Sequence, residues 1–171
     1  MSTGTSWSPW WVTGITDGEG CFQANVSLRF GTGRKGTFTR VDALTKFSLA
    51  LRADDQVVVN GLKGFFGCGE VYDKEPSPAL RHRGHVNPQK LFMVCKLDHL
   101  IEKVVPHFEA YPLQSKKQRD FEAWKSILFY IRENLSGTKG WARRFPDRIA
   151  HLQSMCVTLS QGRSFDTQEV H

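Results

Sequence analysis

The stretch that most constrains this chain is Trp11 to Phe22, WVTGITDGEGCF, in which an apolar run ends in two carboxylates, Asp17 and Glu19, alternating with Gly18 and Gly20. Ser8 and Pro9 mark a helix start, an N-cap followed by a residue whose fixed φ suits the first turn, so a helix is expected from Trp10 to about Thr16. Both carboxylates then sit at its C-terminal end. The helix macrodipole is negative there and disfavours each acidic group by several tenths of a kcal/mol, up to about 1, unless a cation lies close. A bound divalent metal would remove the objection, and a capped, glycine-rich turn is the plainer alternative. Gly14 and Gly18 strip one helix face of side chains, which lets another backbone come close.

After Gly20 the period changes to two. Ala24, Val26, Leu28 and Phe30 share one face and Gln23, Asn25, Ser27 and Arg29 the other, the pattern of a half-buried strand. A basic loop with Arg34 and Lys35 leads to a second alternating run, Thr39 to Leu51, with Val41, Ala43, Thr45, Phe47, Leu49 and Leu51 inward and Arg40, Asp42, Lys46 and Ser48 outward. From Asp54, an expected N-cap, helical spacing places Val58, Leu62 and Phe65 on one stripe that Gly67 ends. Glu70 to Lys74 and Lys90 to Leu97 read as a second hairpin, whose connection carries Arg81 and Arg83. Its apolar run Leu91 to Cys95 leaves the outward parity open. Asp98 caps a short helix that Pro106 interrupts. A stronger helix begins at Ser115, which forms a capping box with Gln118, and buries Phe121, Trp124, Leu128, Ile131 and Leu135. A basic loop with Lys139 precedes a last helix with Ile149, Leu152, Cys156 and Leu159 inside. The expected fold is α+β, in the order αββαββα with one antiparallel sheet and C-terminal helices. Residues 1–161 are expected to form a single domain and 162–171 a frayed tail.

The 171 residues carry 23 Lys and Arg against 17 Asp and Glu, a net charge of +6, which favours a polyanionic partner. Phe22 to Arg52 holds six of the basic residues and one acid, Asp42. No apolar stretch approaches the ~20 residues that span a bilayer, and the N-terminus shows no targeting signal. Membrane association is therefore not expected. Cys21, Cys68, Cys95 and Cys156 lack C-x-x-C spacing, so reduced, buried thiols in an intracellular compartment are expected. The six histidines, His99 and His151 among them, show no ligand spacing.

Val12 to Gly20, VTGITDGEG, with Cys21 and Phe22 after it, resembles the signature helix of the LAGLIDADG homing endonuclease family. Tyr111 to Ile127, YPLQSKKQRDFEAWKSI, resembles that family's second recurrent element. The resemblance implies Glu19 as the metal-binding carboxylate, assisted by the Gly18 carbonyl, and Mg²⁺ as the ion, with Mn²⁺ or Ca²⁺ as stand-ins. It implies Lys116 as the lysine near the active site, with Lys117 a near alternative. One motif implies a homodimer, with Trp10, Thr13, Gly14 and Asp17 at the interface. The implied activity is site-specific hydrolysis of double-stranded DNA at a long, near-palindromic site, leaving 3′ overhangs, without a small-molecule cofactor. The implied setting is a bacterial cytoplasm or an organelle, mitochondrion or chloroplast.

A DNA-reading sheet face needs both donors and acceptors. Gln23, Asn25, Ser27, Arg29, Arg40, Asp42, Lys46 and Ser48 supply them, with Glu70, Tyr72 and Lys74 extending the face and Arg34, Lys35, Arg81, Arg83 and Lys139 in flanking loops. A solvated face is the alternative. An eight-residue strand at ~3.3 Å per residue spans ~26 Å, about eight base pairs; two sheets cover roughly 20. Lys116, Lys117 and Arg119 crowd a helix N-terminus, where a phosphate offsets like charge; Lys117 is assigned as a phosphate contact. Leu51 departs from the polar residue, commonly Gln, that the family places at the end of the second strand. That departure keeps a second reading open, a catalytically silent nucleic-acid-binding protein such as an RNA-binding intron maturase, and a third, a DNA-binding repressor.

Overall fold

The computed structural model describes residues 7–33, 36–74, 87–135 and 146–161, and of residues 33 and 36–40 the backbone alone. Helix α1 (Pro9–Glu19) begins with Ser8 extended and Pro9 in the first turn, and the Ser8 carbonyl accepts from the Val12 amide at 3.1 Å. It runs three residues past the expected end, so Glu19 is its last residue. The chain leaves the helix at Gly20, where a Cβ would lie 2.4 Å from the Thr16 methyl and 2.7 Å from its carbonyl oxygen. Only glycine fits there.

Strands β1 (Gly20–Gly33) and β2 (Gly36–Arg52) follow, then a 3₁₀ turn (Ala53–Asp55), α2 (Gln56–Phe66), β3 (Glu70–Lys74) and β4 (Gln89–Val94). The chain continues through α3 (Leu97–His99), a π-helical turn (Leu100–Val104), α4 (Val105–Ala110), α5 (Lys117–Leu135) and α6 (Pro146–Gln161). The sheet order is β1-β2-β4-β3, with β4 antiparallel to both neighbours. This is the expected α+β arrangement. Two compact units divide the chain, Met1–Phe22 with Lys46–Gln118, and Gln23–Thr45 with Arg119–His171.

In the first unit the core is aromatic. Phe47 stacks on Phe22 at 5.3 Å and meets Phe108 and Phe66 edge-on at 5.6 and 5.7 Å, geometries that suit ring quadrupoles. The register Phe47↔Val94 and Leu49↔Phe92 makes Phe92 and Val94 the inward residues of β4, settling its parity. The buried stripe of α2 is Val59, Leu62 and Phe66; Leu62 is as expected, while Val59 and Phe66 stand in place of Val58 and Phe65, Phe66 entering the ring cluster with Phe47 and Phe92. Its N-cap is Asp55 rather than Asp54, the 3₁₀ turn having taken up the first turn; Gly67 ends it at φ 58, as expected. Pro106 does not interrupt the helical run. Proline lacks an N–H and clashes with the preceding turn, and the π turn immediately before it is the kind of local widening that accommodates such a residue.

In the second unit α5 buries Phe121, Trp124, Ile127, Leu128 and Ile131, and α6 buries Ile149, Leu152, Cys156 and Leu159. The Trp124 indole N–H donates to the Gln23 carbonyl at 3.1 Å, and the Tyr130 hydroxyl to the Arg148 carbonyl at 3.1 Å. Burial along β1 stops at Val26: Leu28 is 36% and Phe30 77% exposed, contrary to the expectation of an apolar face covered to its end. All four cysteines are free, but Cys95 is exposed rather than buried. Among the described residues no helix is long and apolar enough to cross a membrane.

Candidate active site at the end of the first helix

Asp17, in the last turn of α1, is not left to face the helix dipole. Its carboxylate accepts from the backbone amides of Gln114 (2.7 Å) and Ser115 (3.3 Å) and from the Ser115 hydroxyl (2.7 Å). The Ser115 hydroxyl in turn accepts from the Lys117 amide at 3.1 Å, the N-cap bond of α5. The capping box is therefore modified: Asp17 takes the Ser115 amide, and the Gln118 side chain accepts from the Leu113 amide at 3.0 Å instead. Two helix ends of opposite polarity are joined through one carboxylate.

Lys117 completes the junction. Its ammonium donates to the Thr16 carbonyl at 2.9 Å, which also accepts from the Gly20 amide, and to the Gly18 carbonyl at 3.3 Å, at the C-terminus of α1. The two lysines differ in placement. Lys117, not Lys116, reaches the end of the signature helix, because α5 starts with Lys117 at its first residue and points that side chain back over α1. Lys116, beside it, is exposed.

Glu19 is exposed. Beside it the donors on offer are oxygens, the carboxylate and the Gly18 carbonyl, a hard set suited to Mg²⁺, Mn²⁺ or Ca²⁺. Among the described residues no three His, Cys, Asp or Glu side chains gather into a metal cluster.

The four residues expected at a dimer interface separate by helix phase. Trp10 is 55% exposed, packed edge-on against Tyr111, and Gly14 is exposed with open space where a Cβ would stand. Thr13 instead points inward: it is 2% exposed, and its hydroxyl donates to the Tyr111 carbonyl at 2.9 Å and lies 3.3 Å from His107 Nε2. Asp17 is tied to residues 114–115. Thr13 is thus buried within its own chain, and Asp17 is half-buried. Sequence reasoning missed His107, which is 8% exposed and ringed by Phe65, Phe66, Phe108 and Tyr111. Burial pushes its pKa down to about 4. Its position among helical apolar residues carried no signal of the Thr13 contact.

Along the strands Asn25, Ser27 and Arg29 are exposed and Gln23 half-buried, on the parity opposite Val26. Asp42 is paired with Arg29 through Nε at 2.5 Å. In the first unit Lys46 is half-buried, and Tyr72 and Lys74 are exposed. Two of the expected contact residues are placed differently from the rest. Ser48, a short side chain opposite Met93 of β4, is only 8% exposed, and Glu70 is ion-paired with Lys63 of α2 at 2.7 Å. Leu51 follows the inward parity of Phe47 and Leu49, and Arg52 next to it is engaged by Asp54. Arg34, Lys35, Arg81, Arg83 and Lys139, with the tail 162–171, lie outside the described residues, as does the side chain of Arg40.

Residues 12–128 match the model of the LAGLIDADG endonuclease family. Over 131 residues the chain is 29% identical to an uncharacterized 50.9 kDa protein in ND4 intron 1 of Podospora anserina, covering 77% of this chain and 26% of that one. Over 121 residues it is 27% identical to the homing endonuclease I-ApeII of Aeropyrum pernix, covering 71% and 62%. The chain thus spans less than two thirds of either relative. Among solved structures, the homing endonuclease I-TnaI is similar at a TM-score of 0.62 and 27% identity over 93% of this chain and all of that one. I-SmaMI bound to an uncleaved DNA target with calcium ions shares the fold, at a TM-score of 0.68 and 22% identity over 92% of this chain and 46% of that one. With its signature helix, its antiparallel sheet and a match across more than half its length, the chain belongs to the LAGLIDADG endonuclease family.

Proposed function

We propose that the protein is a site-specific double-stranded DNA endonuclease that acts as a homodimer with a divalent metal, Mg²⁺ in the first instance, and leaves 3′ overhangs. The observation that carries the reading is the end of α1: an exposed Glu19 carboxylate beside the Gly18 carbonyl, with the Lys117 ammonium within 3.3 Å of that oxygen. Glu19 and the Gly18 carbonyl are the groups that would hold the ion. The ion, when bound, supplies Lewis-acid activation of water and neutralises charge on the scissile phosphate. Lys117 keeps a positive charge at the same helix end and offsets charge that develops on the phosphate. Asp17 fixes α5 against α1, so that ammonium and carboxylate keep their separation.

One signature motif per chain supports a dimer, in which a second Glu19 completes the site. The bare face at Gly14, flanked by the exposed Trp10, offers α1 as the helix that packs against its copy. The calcium-containing DNA complex of I-SmaMI, which shares this fold, supports both the metal and the polymer substrate. Inward-facing Leu51 favours the rival reading, a silent binder of nucleic acid, since it leaves the expected water-positioning amide absent. The two part in one experiment: selection of cleaved duplexes from a random DNA library in Mg²⁺, with EDTA as control. Recovery of one defined, near-palindromic cut site supports the endonuclease. Metal-independent retention of nucleic acid with no cut product supports the binder.

A further inference from the structure

The hairpin of the second unit carries one side chain that the charge pattern does not explain. On β2 the residues around Leu44 alternate, Thr45 buried, Ala43 half-buried and Asp42 paired outward with Arg29. Leu44 therefore shares the outward face with Asp42, where it is 54% exposed. It is the one large apolar side chain at the described outward positions of β1 and β2. Single exposed leucines are ordinary on protein surfaces, but this one stands two residues along β2 from Asp42, the carboxylate that engages Arg29 of β1. The Arg29 side chain is 75% exposed, and Asp42, itself 25% exposed, engages Nε. The Arg29 guanidinium presents donors in a fixed fork, the geometry that guanine O6 and N7 accept. The pairing also neutralises a carboxylate that would otherwise repel phosphate.

We infer that Arg29, held by Asp42, and Leu44 form a two-part reading unit, in which Arg29 takes a guanine and Leu44 takes the 5-methyl group of a thymine. Arg29 and Leu44 make the contacts; Asp42 is a positioning residue. Residues i and i+2 of a strand are ~6.6 Å apart, so Leu44 lies beside the carboxylate that engages Arg29, and the two bases belong to the same half-site. The inference rests on the endonuclease reading for its substrate, and adds the bases read.

The test starts from the selected cut site. Each thymine of one half-site is replaced singly by uracil, which removes one methyl group and nothing else, and affinity is measured for wild type, Leu44→Ala and Asp42→Asn. Wild type loses about fourfold at one position, the value of one buried methyl group. Leu44→Ala binds the thymine site more weakly and no longer distinguishes uracil from thymine there. Asp42→Asn keeps the uracil effect but loses at least fivefold of its discrimination for guanine against adenine at another position of the same half-site. Uracil scans identical in wild type and Leu44→Ala overturn the assignment of Leu44. Unchanged guanine preference in both Asp42→Asn and Arg29→Ala overturns that of the pair. A wild-type protein that selects no site overturns the endonuclease reading itself, a result distinct from either.

Discussion

Acid should loosen the first unit through His107. The Thr13 hydroxyl spends its proton on the Tyr111 carbonyl, so the Nε2 of His107, 3.3 Å away, must be the protonated nitrogen of a neutral ring. Among Phe65, Phe66 and Phe108 the charged form has nothing to replace water, and the pKa falls from 6.5 to about 4. The sign follows: below pH 6.5 the unfolded chain takes up a proton that the folded chain refuses, so stability is complete above that pH and is lost as pH falls towards 4. At about 1.4 kcal/mol per pH unit the full difference is roughly 3 kcal/mol, of which about 2 is gone by pH 5. Urea unfolding at pH 7.5 and 5.0, followed by tryptophan fluorescence, measures it for wild type and His107→Gln, whose amide can still donate to Thr13. Wild type should lose about 2 kcal/mol more than the variant between the two pH values. Equal losses would refute the buried neutral ring.

Removing Asp17 as alanine should cost about 1 to 3 kcal/mol, since three hydrogen bonds to a partly solvated carboxylate are lost, and should lower cleavage more than DNA affinity; a stability change under 0.5 kcal/mol in thermal unfolding would contradict the junction. Lys117→Met should reduce the cleavage rate by about 10² or more, whereas Lys116→Met should leave it within severalfold; single-turnover rates with the order reversed would restore Lys116. Gly14→Leu meets open space within its own chain, so the monomer should fold unchanged while the dimer dissociates in sedimentation velocity; a stable dimer of this variant would move the interface off α1.

The element order was legible because hydrophobic period, glycines and caps agree with one another from Ser8 to Leu159. Misreadings arose where a distant group changed a local rule. Asp17 looked like a helix end because acidity there is unfavourable, and the compensating amides belong to residues almost a hundred positions away. Pro106 looked like a break because the π turn before it leaves no mark in the sequence. Lys116 and Lys117 are distinguished only by the phase at which α5 begins, which the Asp17–Ser115 contact sets. Ser48 has the right parity for an exposed face, yet its burial depends on β4 lying next to β2. The Arg29–Asp42 pair was present in the alternation of both strands; the role of Leu44 was hidden because an apolar residue at an outward position breaks that alternation.

The central claim is that Glu19 holds the metal that cleaves DNA. Glu19→Gln keeps the size of the side chain and removes the charge at an exposed position. Assayed on the selected duplex in Mg²⁺, the variant should bind within a few-fold of wild type and show no cut product. It should also bind Mn²⁺ more weakly in titration calorimetry of the DNA complex. Cleavage by this variant at the wild-type rate would contradict the account.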